Sequence, residues 1–521
     1  MNKNINTILH YHNTTKHSPS RYARSLGYMD WATQPNPFRE YKGSQKLLLP
    51  LALNYPTPPY MLLDTDLPDA PLCKESLSQL LQFSMGIAAY KTTGSDQWAV
   101  RCNASSGNLH PTESYIVLPP VQDLPHSHVG IYHYAPKNHE LELLCDIQSD
   151  FFQTLPKGSM LLGLSSIAWR EVWKYGERAF RYVHLDAGHA LQSVVVAAKL
   201  LGWKATRITN LHDTQLDTLF GLDQTERFCE KEHADMLLVL SPHKVSSTLD
   251  ITPLLATLPR HFAGYANQLS PQMHPWELID TIIEATHAQE KPKPQITTHR
   301  VVRTPSKESK EVIMKRRSVH VMDSSLSTLT QEQFHTILLS VAKPLDEHPA
   351  VTHLTLFLHR VEGYEKGLYL LVRNNDHLKE LQQLMYNDFL WQKTPFENLY
   401  LLQKEDYRFA SKAISCSQAI ASDGAFSLGM LTRFSQELEL YGEHRYKELY
   451  WECGAIGQQL YLEATSLGCS GTGIGCFLDD TMHSLLGLKG NQYQTLYHFT
   501  VGRGFVDSRI MTLPPYPKRE H

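Results

Sequence analysis

Apolar positions along the chain fall into two matching series. Asp186–Leu201 and Glu452–Leu467 are apolar around most of a helical circumference, which predicts two long buried helices. Each run is followed by a glycine, Gly202 or Gly468, a residue that stops a helix by turning left-handed. Ser76–Phe83 and Gln331–Val341 have the spacing of amphipathic helices, and Leu216–Leu222 and His483–Leu488 that of short ones. Tyr115–Leu118 with Leu354–Leu358, and Met236–Leu240 with Leu496–Val501, read as buried strands. Between the two series the order lapses. Thr286–Lys315 is rich in Lys, Pro, Thr and Ser and reads as a linker or an arm on the surface.

The two series are copies. Tyr175-Gly176-Glu177 recurs as Tyr441-Gly442-Glu443, an offset of 441 − 175 = 266. The same offset carries Gly188 to Gly454, Gln192 to Gln458, Ala198 to Ala464 and Leu201 to Leu467. Over positions 175–203 it gives eight identities in 29 without a gap, against about two for random composition. A repeat of this length is a duplicated domain rather than a solenoid unit.

Composition narrows the function classes. Of 521 residues, 42% are hydrophobic and 20% charged, ordinary values that exclude disorder, collagen and coiled coil as the main architecture. The net charge of −4 and pI of about 6.7 leave no basic field for nucleic acid or an anionic membrane. The densest apolar stretch, Ser193–Gly202, is short of a bilayer span and broken by Lys199. The polar N-terminus lacks a signal-peptide core, so a cytoplasmic chain is expected. Eight cysteines form no C-x-x-C, no H-E-x-x-H occurs among 27 histidines, and no metal is expected.

The candidate chemistry lies where the copies differ. The first has Arg101-Cys-Asn-Ala-Ser-Ser-Gly-Asn-Leu-His-Pro111, whose hydroxyl and amide groups offer several donors in a small space; the same residues also favour plain turns. The second has Arg316-Arg317-Ser318-Val319-His320. Paired guanidiniums match phosphate geometry, although a solvated basic stretch at a linker end has the same composition. Its counterpart in the first copy, near Tyr60-Met61-Leu62, has no charge for an anion. The second copy alone has Gly468-Cys-Ser-Gly-Thr-Gly-Ile-Gly-Cys-Phe477, glycines dense enough to bring backbone N–H groups close to a ligand. Its spacing is not that of the dinucleotide fingerprint. Each element survives in one copy only, and together they make one set. A single composite site between the copies explains that.

These motifs (R-R-S-x-H, S-S-G-N-L-H-P, K-Y-G-E-R and G-x-G-x-F) resemble the nitroreductase superfamily of FMN-dependent oxidoreductases, and within it the SagB/ThcOx-type branch that includes azoline dehydrogenases of peptide pathways. The resemblance runs from about Tyr11 to the C-terminus. It implies an α+β fold of two nitroreductase-like domains, each a mixed, mainly antiparallel sheet flanked by helices, forming an intramolecular pseudo-dimer. The expected boundaries are 1–285, a linker or arm over 286–312, and 313–521. By the same resemblance FMN is the cofactor. Arg316, Arg317, Ser318 and His320 match the motif for its phosphate and ribityl chain, and Gly473, Ile474, Gly475 and Cys476 the loop along flavin N5. Arg503 or Arg509 matches a C-terminal phosphate ligand, and Ser105, Ser106 and Asn108 the partner domain's loop. His320 departs from the usual Lys or Arg. Lys174 and Tyr175 look like the Lys-Tyr pair of the azoline dehydrogenases, with Tyr175 and its counterpart Tyr441 alternatively packing residues kept in both copies.

The resulting expectation is hydride transfer through flavin N5 at one composite site, on a small-molecule or peptide substrate, with NAD(P)H a candidate donor. Azoline oxidation on a modified peptide is the alternative enzyme, and a non-catalytic flavin-binding protein the alternative of another class. No nucleic acid or membrane partner is expected. A monomer acting as an internal dimer is expected, with further oligomerisation left open.

Overall fold

The structure is a computed structural model that describes residues 3–122, 124–126, 128–287, 307–345, 348–517 and 519. Two seven-stranded antiparallel sheets form its frame. In spatial order the first runs Gln45–Leu48, Glu140–Ile147, Val129–Ala135, Thr112–Leu118, Met160–Ser166, His233–Ser241, Lys204–Ile208. The second runs Gln392–Lys393, Leu399–Lys404, Gly367–Leu371, Thr352–Leu358, Phe426–Arg433, Tyr493–Gly502, Ser470–Ile474. From the third strand on, the two sheets share one topology. The edge strands Lys204–Ile208 and Ser470–Ile474 stand 266 residues apart end for end. The central strands Thr112–Leu118 and Thr352–Leu358 are buried at every position. Helices or connecting segments therefore cover both faces, and the apolar stretches Tyr115–Leu118 and Leu356–Leu358 within these strands run without alternation.

The predicted long helices are Ala179–Leu200 and Arg445–Ser466, again offset by 266 at both ends. Gly202 and Gly468 follow, each at φ +72°. The two helices cross at Gly188 and Gly454. A Cβ at Gly188 would collide with the Trp451 carbonyl, and one at Gly454 with the Leu185 carbonyl. Two glycines conserved through the duplication thus set the closest approach on the pseudo-twofold axis. Beside the crossing, Gln192 Nε2 donates to Gln459 Oε1 at 2.8 Å. One continuous core holds first-half residues such as Trp173, Phe180 and Leu185 together with Phe334, Leu428 and Ile456.

The halves also exchange arms. Lys3–Thr14 is a helix that sends His12 into the second half, where its Nε2 meets Gln494 Oε1 at 2.9 Å. Shortly after it, His17 N donates to Asp479 Oδ2 at 2.9 Å. In return Met511–Leu513 pairs antiparallel with Ile87–Thr92 of the first half, which pairs with Gln97–Arg101. Of the stretch expected to be a linker or arm, 288–306 lies outside the described residues. Its end is helix Ser309–Lys315, which runs across the expected 312–313 boundary and buries Val312 and Ile313 in the first half's core. Among the described residues no helix is long and apolar enough to cross a membrane.

Candidate functional site

The first-half loop is shaped by backbone turned left-handed at Gly107 (φ +60°), Asn108 (+59°) and His110 (+51°). It is anchored from below by Asp186 in the first central helix, which accepts from Ser106 N at 2.9 Å and from Ser106 Oγ at 2.9 Å. Ser105 Oγ accepts from His110 N at 2.8 Å, and Asn108 Nδ2 donates to Ala99 O at 2.9 Å. The second half grips the entry to this loop. Gln458 Oε1 accepts from Ala104 N at 3.1 Å, and Arg316 donates to the carbonyls of Cys102 (3.0 Å) and Arg101 (2.9 Å).

Lys174 and Tyr175 end the helix Ala168–Tyr175 and turn over the same loop. A Cβ built on Gly107 would lie 2.8 Å from the Tyr175 hydroxyl and 3.0 Å from Lys174 Nζ, so both polar ends converge on one point above it. The Tyr175 ring stands 4.5 Å from the Tyr182 ring, centroid to centroid. Tyr182 in turn fills the place where a Cβ of Gly475 would sit. Through these two tyrosines Lys174, Tyr175 and the loop of Ser105 and Ser106 meet the Gly475–Cys476 backbone of the other half.

The glycine-rich stretch is not a loop throughout. Ser470–Ile474 is an edge strand, and only the residues after it are coil. A Cβ on Gly471 would crowd the Phe499 ring, and one on Gly473 would collide with the Tyr497 hydroxyl. These glycines therefore admit aromatic rings of the neighbouring strand. The Arg316–His320 segment lies along this edge, with Ser318 bridging to Gly471 in parallel. Ser318 Oγ and Gly473 N both reach the Tyr461 hydroxyl, at 2.7 and 2.8 Å. Val319 N donates to Thr472 Oγ1 at 3.0 Å. His320 is exposed.

Charge along this edge is one-sided. Arg316 is buried, and burial lowers its pKa. Arg317 is pushed down to about 10 by burial and by Arg316. Arg503 donates to the Gly468 carbonyl, and Lys307 Nζ approaches the same glycine. None of the four pairs with a carboxylate among the described residues. Such a set fits a phosphate dianion, which would relieve the repulsion between neighbouring buried guanidiniums. Arg509 is not part of it. It pairs with Asp507 at 2.7 Å, and its side chain is 86% exposed.

Residues 67–229 and 366–503, more than half of the chain, match the Nitroreductase family, once in each half. The chain belongs to the nitroreductase family. The Methanocaldococcus jannaschii protein MJ1384, assigned as a nitroreductase, is 27% identical over 166 residues, 30% of this chain and 77% of that protein. The trifolitoxin-processing protein TfxB of Rhizobium leguminosarum bv. trifolii is 26% identical over 172 residues, 30% of this chain and 45% of TfxB. A crystal structure from Anabaena variabilis, also assigned as a nitroreductase, superposes with a TM-score of 0.71 at 23% identity. It covers 96% of this chain and 99% of its own, so the likeness is one of fold over both halves.

In this nitroreductase-family chain the symmetry-related place is a cavity of about 190 Å³ lined by charged residues that include Glu437, Arg445 and Glu448. The offset of 266 carries Glu171, Tyr182 and Asp186 to Glu437, Glu448 and Glu452, and Gly473 back to Arg207. Arg207 Nη1 holds Glu448 at 2.7 Å, and its guanidinium lies 5.7 Å from the Trp451 ring centroid. Arg445 holds Glu437 at 2.8 Å, and Arg373 holds Glu452 at 2.7 Å. An ion-paired network thus stands where the other side has glycine, tyrosine and open loop.

Glu171 and Asp186 were not among the expected site residues. Both are fully buried near Lys174 and Tyr175. Burial raises the Glu171 pKa well above its ordinary value, with Asp186 adding to it. Burial likewise raises Asp186 to about 7 against the pull of its bonds to Ser105 and Ser106. The pair can hold a proton at neutral pH. One signal was available: both positions are acidic in both copies, one of them inside an otherwise apolar helix.

Proposed function

We propose that the chain is an FMN-dependent oxidoreductase with one flavin site, composed between its halves. Arg316, Arg317, Arg503 and Lys307 would hold the phosphate, with Ser318 beside it. Gly473–Cys476 would line the ring edge, and Ser105, Ser106 and Asn108 would cover it from the first half. Bound FMN would supply hydride transfer through its N5. The chain's own part is orientation and proton handling. Asp186 fixes the Ser105–Asn108 loop, Lys174 and Tyr175 present a cation and a hydroxyl to one point, and the Glu171–Asp186 pair stores a proton behind them. The observation that carries this reading is the convergence of Lys174 and Tyr175 on Gly107, with Tyr182 linking Tyr175 to Gly475, while the related place carries the Arg207–Glu448 ion pair. Flavin released on denaturation, measured against protein, is expected at one per chain. Two per chain, or a purified chain that takes up none from excess FMN, would refute the composite site.

A second reading concerns the substrate. The Lys-Tyr pair and the similarity to a trifolitoxin-processing protein favour an azoline ring on a modified peptide. Incubation with a thiazoline-bearing peptide should remove two hydrogens per ring by mass, and Lys174→Ala should abolish that loss. A nitroaromatic or quinone consumed with NAD(P)H while the peptide stays unchanged would decide against the azoline.

A further inference from the structure

Cys476 closes the glycine-rich stretch, and its sulfur stands 2.6 Å from Sγ of Cys416, 60 residues away in sequence. That is closer than two unbonded sulfurs pack and longer than the ~2.05 Å of a disulfide. Both backbones are held there by contacts that do not involve sulfur. Cys416 and Ser417 lie in a turn with φ of +53° and +61°, a conformation that persists only where the surroundings enforce it. Gln418 pins that turn by donating to Ser415 O at 2.9 Å and to Cys476 O at 3.1 Å. On the other side Phe477 stacks on His498, and Arg178 lies 5.0 Å from the Phe477 ring centroid. Both cysteines are half-buried, and the exposed Tyr22 lies against Cys416, so a small molecule reaches them from solvent. Of the two, Cys476 is favoured as thiolate: Cys416 can donate its S–H to it, and the Arg178 charge is near.

We propose that Cys416 and Cys476 form a reversible disulfide by exchange with a low-molecular-weight disulfide. The Cys476 thiolate attacks one sulfur of RSSR. The S–S bond breaks, and RS⁻ leaves and is protonated to RSH. Cys416 then gives up its proton and attacks the Cys476 sulfur, expelling a second RSH. Two protein thiols are oxidised by two electrons, and one RSSR is reduced to two RSH. The bond ties the end of the glycine-rich stretch to the 415–418 turn, making it a redox-controlled clasp beside the inter-half site. The inference stands on the cysteine geometry and is independent of whether a flavin binds.

The test uses the full reduced chain, desalted and incubated with oxidised glutathione, then acid-quenched, alkylated and peptide-mapped. A cross-linked Cys416–Cys476 peptide, two hydrogens lighter than its reduced parts and restored by dithiothreitol, is expected. In Cys416→Ser the second step is removed, so glutathione should stay on Cys476 as a mixed disulfide. Exposed Cys229 is the internal comparison and should give a mixed disulfide only. Stable glutathione on Cys476 of the unmutated chain without a cross-link would overturn the proposal. So would recovery of Cys416 and Cys476 as alkylated thiols while Cys229 reacts. Both results are read on the unmutated chain and do not depend on a variant folding.

Discussion

Asp186→Asn interrogates the proton held beneath the site. Asp186 is fully buried beside Glu171 and accepts from both Ser106 N and Ser106 Oγ. Burial raises its pKa from 3.8 to about 7. A carboxyl that binds its proton more tightly when folded contributes stability below its unfolded pKa. It loses that contribution as pH rises through the folded value. At about 1.4 kcal/mol per pH unit, the rise from 3.8 to about 7 corresponds to roughly 4 kcal/mol. Asn keeps an acceptor for Ser106 and removes the charge. The stability difference, Asn variant minus unmutated chain, should therefore be flat below about pH 4, climb by up to ~1.4 kcal/mol per pH unit until about pH 7, and flatten again. Because Glu171 feels the same charge, the profile belongs to the pair. Urea unfolding of both proteins, followed by tryptophan fluorescence across that range, measures it. Parallel profiles, or an Asn variant that loses ground as pH rises, would refute the stored proton.

Four further substitutions probe the site and the arms. Arg316→Ala should weaken FMN binding by about 10- to 150-fold, the equivalent of one charge-assisted contact. Arg509→Ala should leave binding within about twofold, since that side chain points to solvent; fluorescence titration separates the two. Gly475→Val drives a side chain into the Tyr182 ring and should abolish flavin retention while the circular dichroism spectrum is kept; unchanged retention would mean that Gly475 does not line the site. Tyr516→Ala removes a buried ring whose hydroxyl accepts from Ile87 N and donates to Pro136 O. It should cost about 3–5 kcal/mol by chemical denaturation.

The duplication was legible because two helices apolar on most faces, two stop glycines and a common offset are local signals. The start of the first helix was not. It begins at Ala179 rather than Asp186 because Arg181 is buried by partners far away, with Nη1 on Asp479 at 2.8 Å and Nη2 on His12 O at 2.6 Å. No window of sequence around Arg181 contains them. The exchanged strand Met511–Leu513 is too short to carry a pattern of its own. The glycines at 471 and 473 announced close approach but not of what; the structure answers with Phe499 and Tyr497. Lys174 and Tyr175 were found through resemblance, and their convergence on Gly107 depends on the left-handed turn at that residue. The Cys416–Cys476 contact had no spacing motif to reveal it.

The exchanged arms impose a schedule on how the molecule comes into being. The Ile87–Thr92 strand lacks its outer partner until Met511–Leu513 has been made, and the Ile87–Tyr516 bond joins residues 429 apart. At ~5–20 residues per second, synthesis leaves that edge uncovered for roughly 20–90 s. The N-terminal helix waits as well, since Gln494 and Asp479 emerge late. An open strand edge is a template for another chain. A nascent chain crowded beside identical neighbours on one messenger can therefore capture a neighbour's tail in place of its own. Whether Met511–Leu513 pairs with the edge of its own chain or of a neighbour's sets whether this sheet joins one chain or two.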